Sequence, residues 1–287
     1  MENIFVCVDG SDYSVACCEH AVAIAKPQNA HVDVLYASDT RVFEMSMVHD
    51  FLGETNSVPY RGLMDQIHLA EKAKASIIEK IVRHVFKKSD YLDSMNFYHM
   101  HGFLMDIVEE FESNNRGIDL IILGQRGEHF QNFKGYLGST AERIIKSVGT
   151  PCLITGEKYR RAKEILIAYD GSNHARAVIR GILRTKTFFQ GKVHLVTVES
   201  DEKIKEAKEQ LSGIEVLFRE ANFSVTAAAL KGTVDEVIKK YIVDHDIDML
   251  AMGAFGRSGI RHLIAGSTTV KLLAKANVPT LIYRDES

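Results

Sequence analysis

The chain has 287 residues, of which 46% are hydrophobic and 25% charged, and its formal net charge is -3. This length allows two domains, and the composition is that of a globular protein rather than a disordered one. The weak charge excludes a global basic field, so we expect neither nucleic acid nor a membrane surface as a partner.

The N-terminus predicts a buried strand that runs directly into an acidic turn. Asn3–Ser11 reads NIFVCVDGS, without the basic and long apolar regions of a signal peptide. Apolar runs such as Ile118–Leu123 are too short to span a bilayer. The four cysteines form no CxxC pair, which favours reduced, buried thiols and a cytoplasmic location.

A domain-sized repeat organises the chain. Three segments of the first half return in the same order in the second half: Asn3–Ser11 as Glu164–Ser172, Ile118–Gly127 as Ile247–Gly256, and Tyr136–Thr155 as Ile264–Tyr283. Chance would hardly preserve this order three times, so the sequence predicts two copies of one domain.

The spacing of the repeats shows where the copies differ. Asp9 and Asp170 are 161 residues apart, whereas Gly138 and Gly266 are 128 apart. The first copy therefore carries about 33 extra residues, which we place mostly in Arg41–Asp65 and interpret as a loop with one short helix at most. We assign residues 1–156 and 163–287 to the two domains, joined by the polar linker Glu157–Ala162.

Strands and helices alternate along the second copy. Its predicted strands are 165–169, 193–198, 225–230, 249–252 and 280–283, and its predicted helices are 173–187, 202–221, 233–244 and 268–276. Short apolar strands joined by helices imply crossover connections and a parallel sheet covered on both faces. The fold class is therefore α/β, and a ligand would bind at the carboxyl ends of the strands.

A glycine motif in the second half carries the strongest functional signal. Gly253 and Gly256 follow a predicted strand, and nine residues later come Gly266, Ser267 and Thr268. The hydroxyl residues stand where the N-cap of the next helix is expected, and a helix N-terminus favours phosphate. Asp170 ends the first strand of this copy and should project into the same crevice.

The first half departs from this spacing. The matching residues are Asp9, Gly124, Gly127, Gly138, Ser139 and Thr140. Here ten residues separate Gly127 from Gly138, and Glu128 adds a negative charge beside the predicted phosphate position. One extra residue can shift the loop amides by ~3.5 Å, which exceeds the tolerance of a hydrogen bond. We therefore expect the second half to be the main site.

Simpler interpretations of these residues stay open. The glycines can serve turn geometry alone, and Asp9 and Asp170 can merely cap the helices that follow them. His99 and His101 alternate along a predicted strand and could form half of a metal site, although ordinary packing is the more frequent role. Neither a Walker loop nor a GxGxxG dinucleotide loop occurs in the chain.

With its glycine spacing and its strand-end aspartates, the chain resembles a tandem universal stress protein of the ATP-binding type. The resemblance implies two Rossmann-like domains of the adenine nucleotide alpha hydrolase-like class. It implies adenine near the second strand and phosphates on the Gly256–Ser267 loop. The ligand would be ATP, with or without Mg²⁺. The matching residues of the second half are Asp170, Val198, Gly253, Gly256, Gly266, Ser267 and Thr268.

Two classes of function follow from the resemblance. The first is a stress-response regulatory protein that binds ATP and hydrolyses it slowly at most. The second is a structural or chaperone-like module whose pockets no longer bind ATP and accept a lipid-like or other small ligand. An adenylating enzyme would need an SGGxDS-type loop, whereas this chain has DGSDYS and DGSNHA.

The resemblance also implies how the two copies pack. Each copy ends in a short apolar strand after Pro151 or Pro279, and an edge strand invites pairing. We expect these strands to meet in an intramolecular pseudo-dimer. Further assembly into a homodimer is compatible with this arrangement but not required by it.

Overall fold

The computed structural model describes residues 1–39, 59–113, 117–127, 137–184, 191–254, 272–273 and 276–284. Its strands are β1 (Asn3–Val8), β2 (His31–Ser38), β3 (Met95–His101), β4 (Leu120–Gly124), β5 (Cys152–Thr155), β6 (Glu164–Ala168), β7 (Lys192–Val198), β8 (Ser224–Leu230), β9 (Met249–Gly253) and β10 (Thr280–Tyr283). Its α-helices are α1 (Asp12–Ala25), α2 (Pro59–Lys88), α3 (Leu104–Ser113), α4 (Ser139–Ser147), α5 (Asn173–Arg184), α6 (Ile204–Glu220) and α7 (Val234–Asp244).

The strands form one ten-stranded sheet in the order β3-β2-β1-β4-β5-β10-β9-β6-β7-β8. All neighbours within β1–β5 and within β6–β10 are parallel, whereas β5 and β10 pair antiparallel. Each half reverses its strand order once, between β1 and β4 and between β6 and β9. The predicted α/β fold with two tandem doubly wound halves is therefore confirmed.

Both faces of the sheet are buried along its central strands. Along β1, Ile4 and Val6 join the core on one face, while Phe5 and Cys7 join the core on the other. This alternation explains why the strands read as continuous apolar runs, since a parallel sheet between two helical layers leaves no polar face. All four cysteines are buried free thiols, and no helix among the described residues is long and apolar enough to cross a membrane.

The insertion in the first half differs from the expected loop. Helix α2 begins at Pro59 and runs for 30 residues. The last residues of the predicted loop therefore form the first turns of this helix. Proline suits this position because the first helical N–H needs no partner within the helix. Its counterpart α6 has 17 residues, so a longer helix accounts for part of the extra sequence. Residues 40–58 lie outside the described ranges.

The two halves meet where their final strands pair. Ile154 lies opposite Thr280, Leu153 opposite Leu281, and Cys152 opposite Ile282. These short strands bury their side chains, and their pairing joins two five-stranded sheets into one. The predicted contact between the last strands of the two copies is confirmed.

Candidate functional site

The acidic turn after β1 is closed by its own side chains. Oδ1 of Asp9 accepts hydrogen bonds from the Ser11 amide at 3.0 Å, the Ser11 hydroxyl at 2.6 Å and the Ser14 hydroxyl at 3.1 Å. Gly10 completes the turn at φ +87°, a conformation that glycine adopts without steric cost. Asp9 therefore shapes the turn before α1, whereas the N-cap of that helix is Ser11, without a side-chain cap.

The second half repeats this turn. Oδ1 of Asp170 accepts from the Ser172 amide at 2.9 Å, and Gly171 has φ +77°. The Ser172 hydroxyl then accepts a hydrogen bond from the Ala175 amide at the start of α5. The two aspartates thus hold equivalent positions at the carboxyl edge of the sheet, next to the point where the strand order reverses.

The glycine that ends β4 or β9 makes room for a helix. A β-carbon on Gly124 would lie 2.6 Å from Cβ of Tyr13 in α1, and one on Gly253 would lie 2.7 Å from Cβ of His174 in α5. These distances are far below a normal carbon–carbon contact. The packing of each first helix onto the sheet therefore requires these glycines, whether or not a ligand approaches them.

Helix α4 begins at the far side of the glycine motif. Gly138 is its N-cap, with φ -62° and ψ 142°, and its amide donates to the carbonyl of Gln125 at 2.9 Å. Ser139 and Thr140 are the first two helical residues, so their amides have no partner within the helix. Because a helix N-terminus carries partial positive charge, this end of α4 favours an anion.

These elements enclose a cleft of about 540 Å³ at the carboxyl ends of β1, β2, β3 and β4. This volume is typical of a small-molecule site. The predicted residues of the first half all line it: Asp9, Gly124, Gly127, Gly138, Ser139 and Thr140. Ala37 also lines the cleft, at the position that corresponds to Val198 in the repeat, and sequence comparison of the two halves could have identified it.

Charged and aromatic side chains that the sequence did not single out complete the cleft. Arg126 comes from the glycine motif, and Arg143 lies one turn into α4 with its guanidinium 5.3 Å from the Phe103 ring. Lys74 of α2 lies 5.6 Å over the Tyr36 ring. The arginines therefore stand near the predicted phosphate position, and the aromatic rings stand near the ends of β2 and β3.

Helix α2 and the two histidines of β3 surround the end of β2. The Tyr36 hydroxyl donates to Oε2 of Glu71 at 2.6 Å. The Ser38 hydroxyl lies 3.0 Å from Nε2 of His99 and 2.8 Å from Nδ1 of His101, so both imidazoles face one side of β3 as predicted. Burial, and then the neighbouring His101, lower the pKa of His99. Within the described ranges, no group of three or more metal-binding side chains is found.

The predicted site of the second half is described only in part. Asp170, Val198 and Gly253 lie at the carboxyl ends of β6, β7 and β9, which are neighbours in the sheet. Gly256, Gly266, Ser267 and Thr268 lie outside the described residues, as does Glu128 of the first half. The structure thus gathers the first-half residues around one cleft and brings three second-half residues to the matching edge.

Comparison with known proteins connects both halves to one family. The family model described as the universal stress protein family matches residues 1–91 and 161–284. A universal stress protein of Synechocystis sp. is 32% identical over 291 aligned positions, covering 99% of this chain and 100% of that protein.

Solved structures extend the likeness to the whole fold. A universal stress protein from Archaeoglobus fulgidus DSM 4304 matches with a TM-score of 0.72 and 18% identity, covering 98% of both chains. A putative universal stress protein from Pseudomonas aeruginosa matches with a TM-score of 0.64 and 16% identity, covering 99% of this chain and 93% of that one. At such identities the likeness concerns the fold alone.

Proposed function

Because the chain belongs to the universal stress protein family, we propose that it is a stress-response regulatory protein that binds an adenine nucleotide, ATP. The observation that carries this proposal is the first-half cleft, where a glycine motif, a helix N-terminus and an acidic turn surround about 540 Å³. Four buried thiols suit a reducing compartment, so we place the protein in the cytoplasm.

The lining residues of the cleft fit the parts of a nucleotide. The amides at the start of α4 and the guanidinium groups of Arg126 and Arg143 suit phosphate oxygens. The rings of Tyr36 and Phe103 provide apolar surface for a base near the ends of β2 and β3. A Mg²⁺ ion would be held largely by the phosphates, with Asp9 as the carboxylate beside the glycine motif.

We further propose that the second half is the main ATP site. Its motif has the spacing of the ATP-binding family members, and Asp170, Val198 and Gly253 lie at the corresponding strand ends. The first-half cleft would be a second, weaker site. Rapid turnover is not part of the proposal, since Ser11 and Ser14 already occupy one oxygen of the Asp9 carboxylate within its own turn.

Native mass spectrometry of the gently purified protein tests this proposal. We expect a retained adenine nucleotide, and calorimetric titration of the stripped protein should then show ATP binding. A retained lipid-like ligand together with no measurable ATP binding would contradict the proposal and favour the structural or chaperone-like module.

A further inference from the structure

A second cavity lies between the two halves and adjoins the nucleotide cleft. Its volume is about 560 Å³, and it opens where β5 ends and β10 begins. Residues from both halves line it, including Lys158 after β5 and Lys239 of α7. The antiparallel pairing of the final strands therefore creates a concave surface that neither half has alone.

Tyr13 and Arg126 line both cavities and so form a shared wall. The Tyr13 hydroxyl donates to Oε1 of Glu157 at 3.3 Å, and its side chain is also hydrogen-bonded to Arg126. Burial raises the pKa of Tyr13, and a phenol is in any case a protonated donor at neutral pH. The arginine at the phosphate end of the cleft thus also faces the interdomain cavity.

Positive charge predominates around this cavity. Among the described residues that line it, Arg126, Lys158 and Lys239 are cationic and Glu157 is the one carboxylate, which already accepts a hydrogen bond from the Tyr13 hydroxyl. Neither lysine makes an ion pair with any residue in the described part of the chain. A concave surface with an excess of one charge concentrates ligands of the opposite charge.

We propose that the interdomain cavity binds condensed phosphate, a linear chain of phosphoryl groups. Arginine and lysine together suit such a chain, because the guanidinium can hold two oxygens while each ammonium acts as a point charge. The phosphates belong either to a free polyphosphate or to a nucleotide in the cleft whose chain extends past Arg126. The nucleotide source rests on the proposed function, whereas the free polyphosphate does not.

Inorganic tripolyphosphate is the direct probe, titrated by calorimetry at low ionic strength into the full chain. The test variant is Lys158→Gln with Lys239→Gln, which keeps side-chain length and removes two charges. We expect tripolyphosphate to bind about tenfold more weakly, because two exposed cations each contribute modestly. The control is Lys208→Gln with Lys240→Gln, exposed lysines that line neither cavity, and it should match the parent.

Adenosine 5′-tetraphosphate and ATP identify the source of the phosphates. If the double lysine variant weakens the tetraphosphate as well as tripolyphosphate and leaves ATP unchanged, the chain extends from the cleft; if it weakens tripolyphosphate alone, the ligand is free. Both outcomes support the cavity assignment, and tripolyphosphate binding without ATP binding supports it while refuting the proposed function. Absence of tripolyphosphate binding, or equal weakening in the control variant, would overturn it.

Discussion

Asp9 and Gly127 meet at the rim of the first-half cleft, where a β-carbon on Gly127 would lie 2.9 Å from Oδ2 of Asp9. The carboxylate has little freedom to retreat, since its other oxygen is held by Ser11 and Ser14. The glycine motif is therefore fitted closely against the acidic turn, and this contact links the two sequence signals on which the site prediction depends.

Substituting Gly127 should weaken nucleotide binding in this cleft. In Gly127→Ala the new methyl group must displace the Asp9 carboxylate or the loop, so we expect at least about tenfold lower ATP affinity. The measurement is calorimetry on a chain that also carries Gly256→Val, so that the second-half site is silenced. Gly213→Ala is the control, because nothing lies within 4 Å of that β-carbon position. As an exposed helical position, it should gain about 0.5–1 kcal/mol of stability with ATP affinity unchanged.

The stronger site should depend on the glycine motif of the second half. Gly256→Val would place a branched side chain where backbone amides are expected to approach the phosphates. Ser267→Ala would remove a hydroxyl donor. We expect both to weaken the tighter ATP binding event, while the parent chain binds nearer one ATP than two. Unchanged affinity in Gly256→Val, or saturation at two equivalent nucleotides, would refute the assignment of the main site.

The register of the final strands can be tested with a single substitution. Cys152 lies directly opposite Ile282, and directly opposed residues of antiparallel strands have Cα separations that a disulfide can bridge. We expect Ile282→Cys to form a disulfide with Cys152 when the protein is refolded with oxidised glutathione, as measured by peptide mapping. Refolding is needed because burial raises the pKa of the Cys152 thiol and slows its reaction in the native state. Tyr283→Cys, with no cysteine opposite, should form no such bond.

Stability should fall in mild acid because of His20. The residue is 2% exposed, and burial lowers the pKa of its imidazole to about 4. The unfolded chain takes up this proton at a pH near 6.5, so the folded state loses stability as the pH drops from about 6.5 towards 4. Between pH 7.5 and pH 5, His20 should account for about 2 kcal/mol of lost unfolding free energy.

Urea denaturation at both pH values measures this contribution. His20→Gln retains an acceptor for the Arg160 amide, which lies 3.5 Å from the ring nitrogen, and should flatten the pH dependence. The exposed His84 provides the control, since His84→Gln should behave as the parent does. An identical acid response in all three proteins would show that the His20 prediction is wrong.

The sequence alone determined the architecture of this protein and the composition of its candidate site. Apolar strands such as Glu164–Ala168 encode a sheet whose central strands are buried on both faces, and the repeat together with the family resemblance predicts two copies whose last strands pair. The motif residues of the first half could be assigned to one site from the sequence, because the carboxyl ends of parallel strands lie at one edge of the sheet. These features depend on local pattern and on repetition, which a single chain displays directly.

Only the tertiary structure decided how these residues are used. The β5–β10 register, the packing role of Gly124 and the contribution of Lys74 all join segments that lie far apart in the chain. The interdomain cavity likewise combines the linker residue Lys158 with Lys239 of the second half. Such contacts depend on the distances between packed elements, and the periodicity of an individual segment carries no information about them.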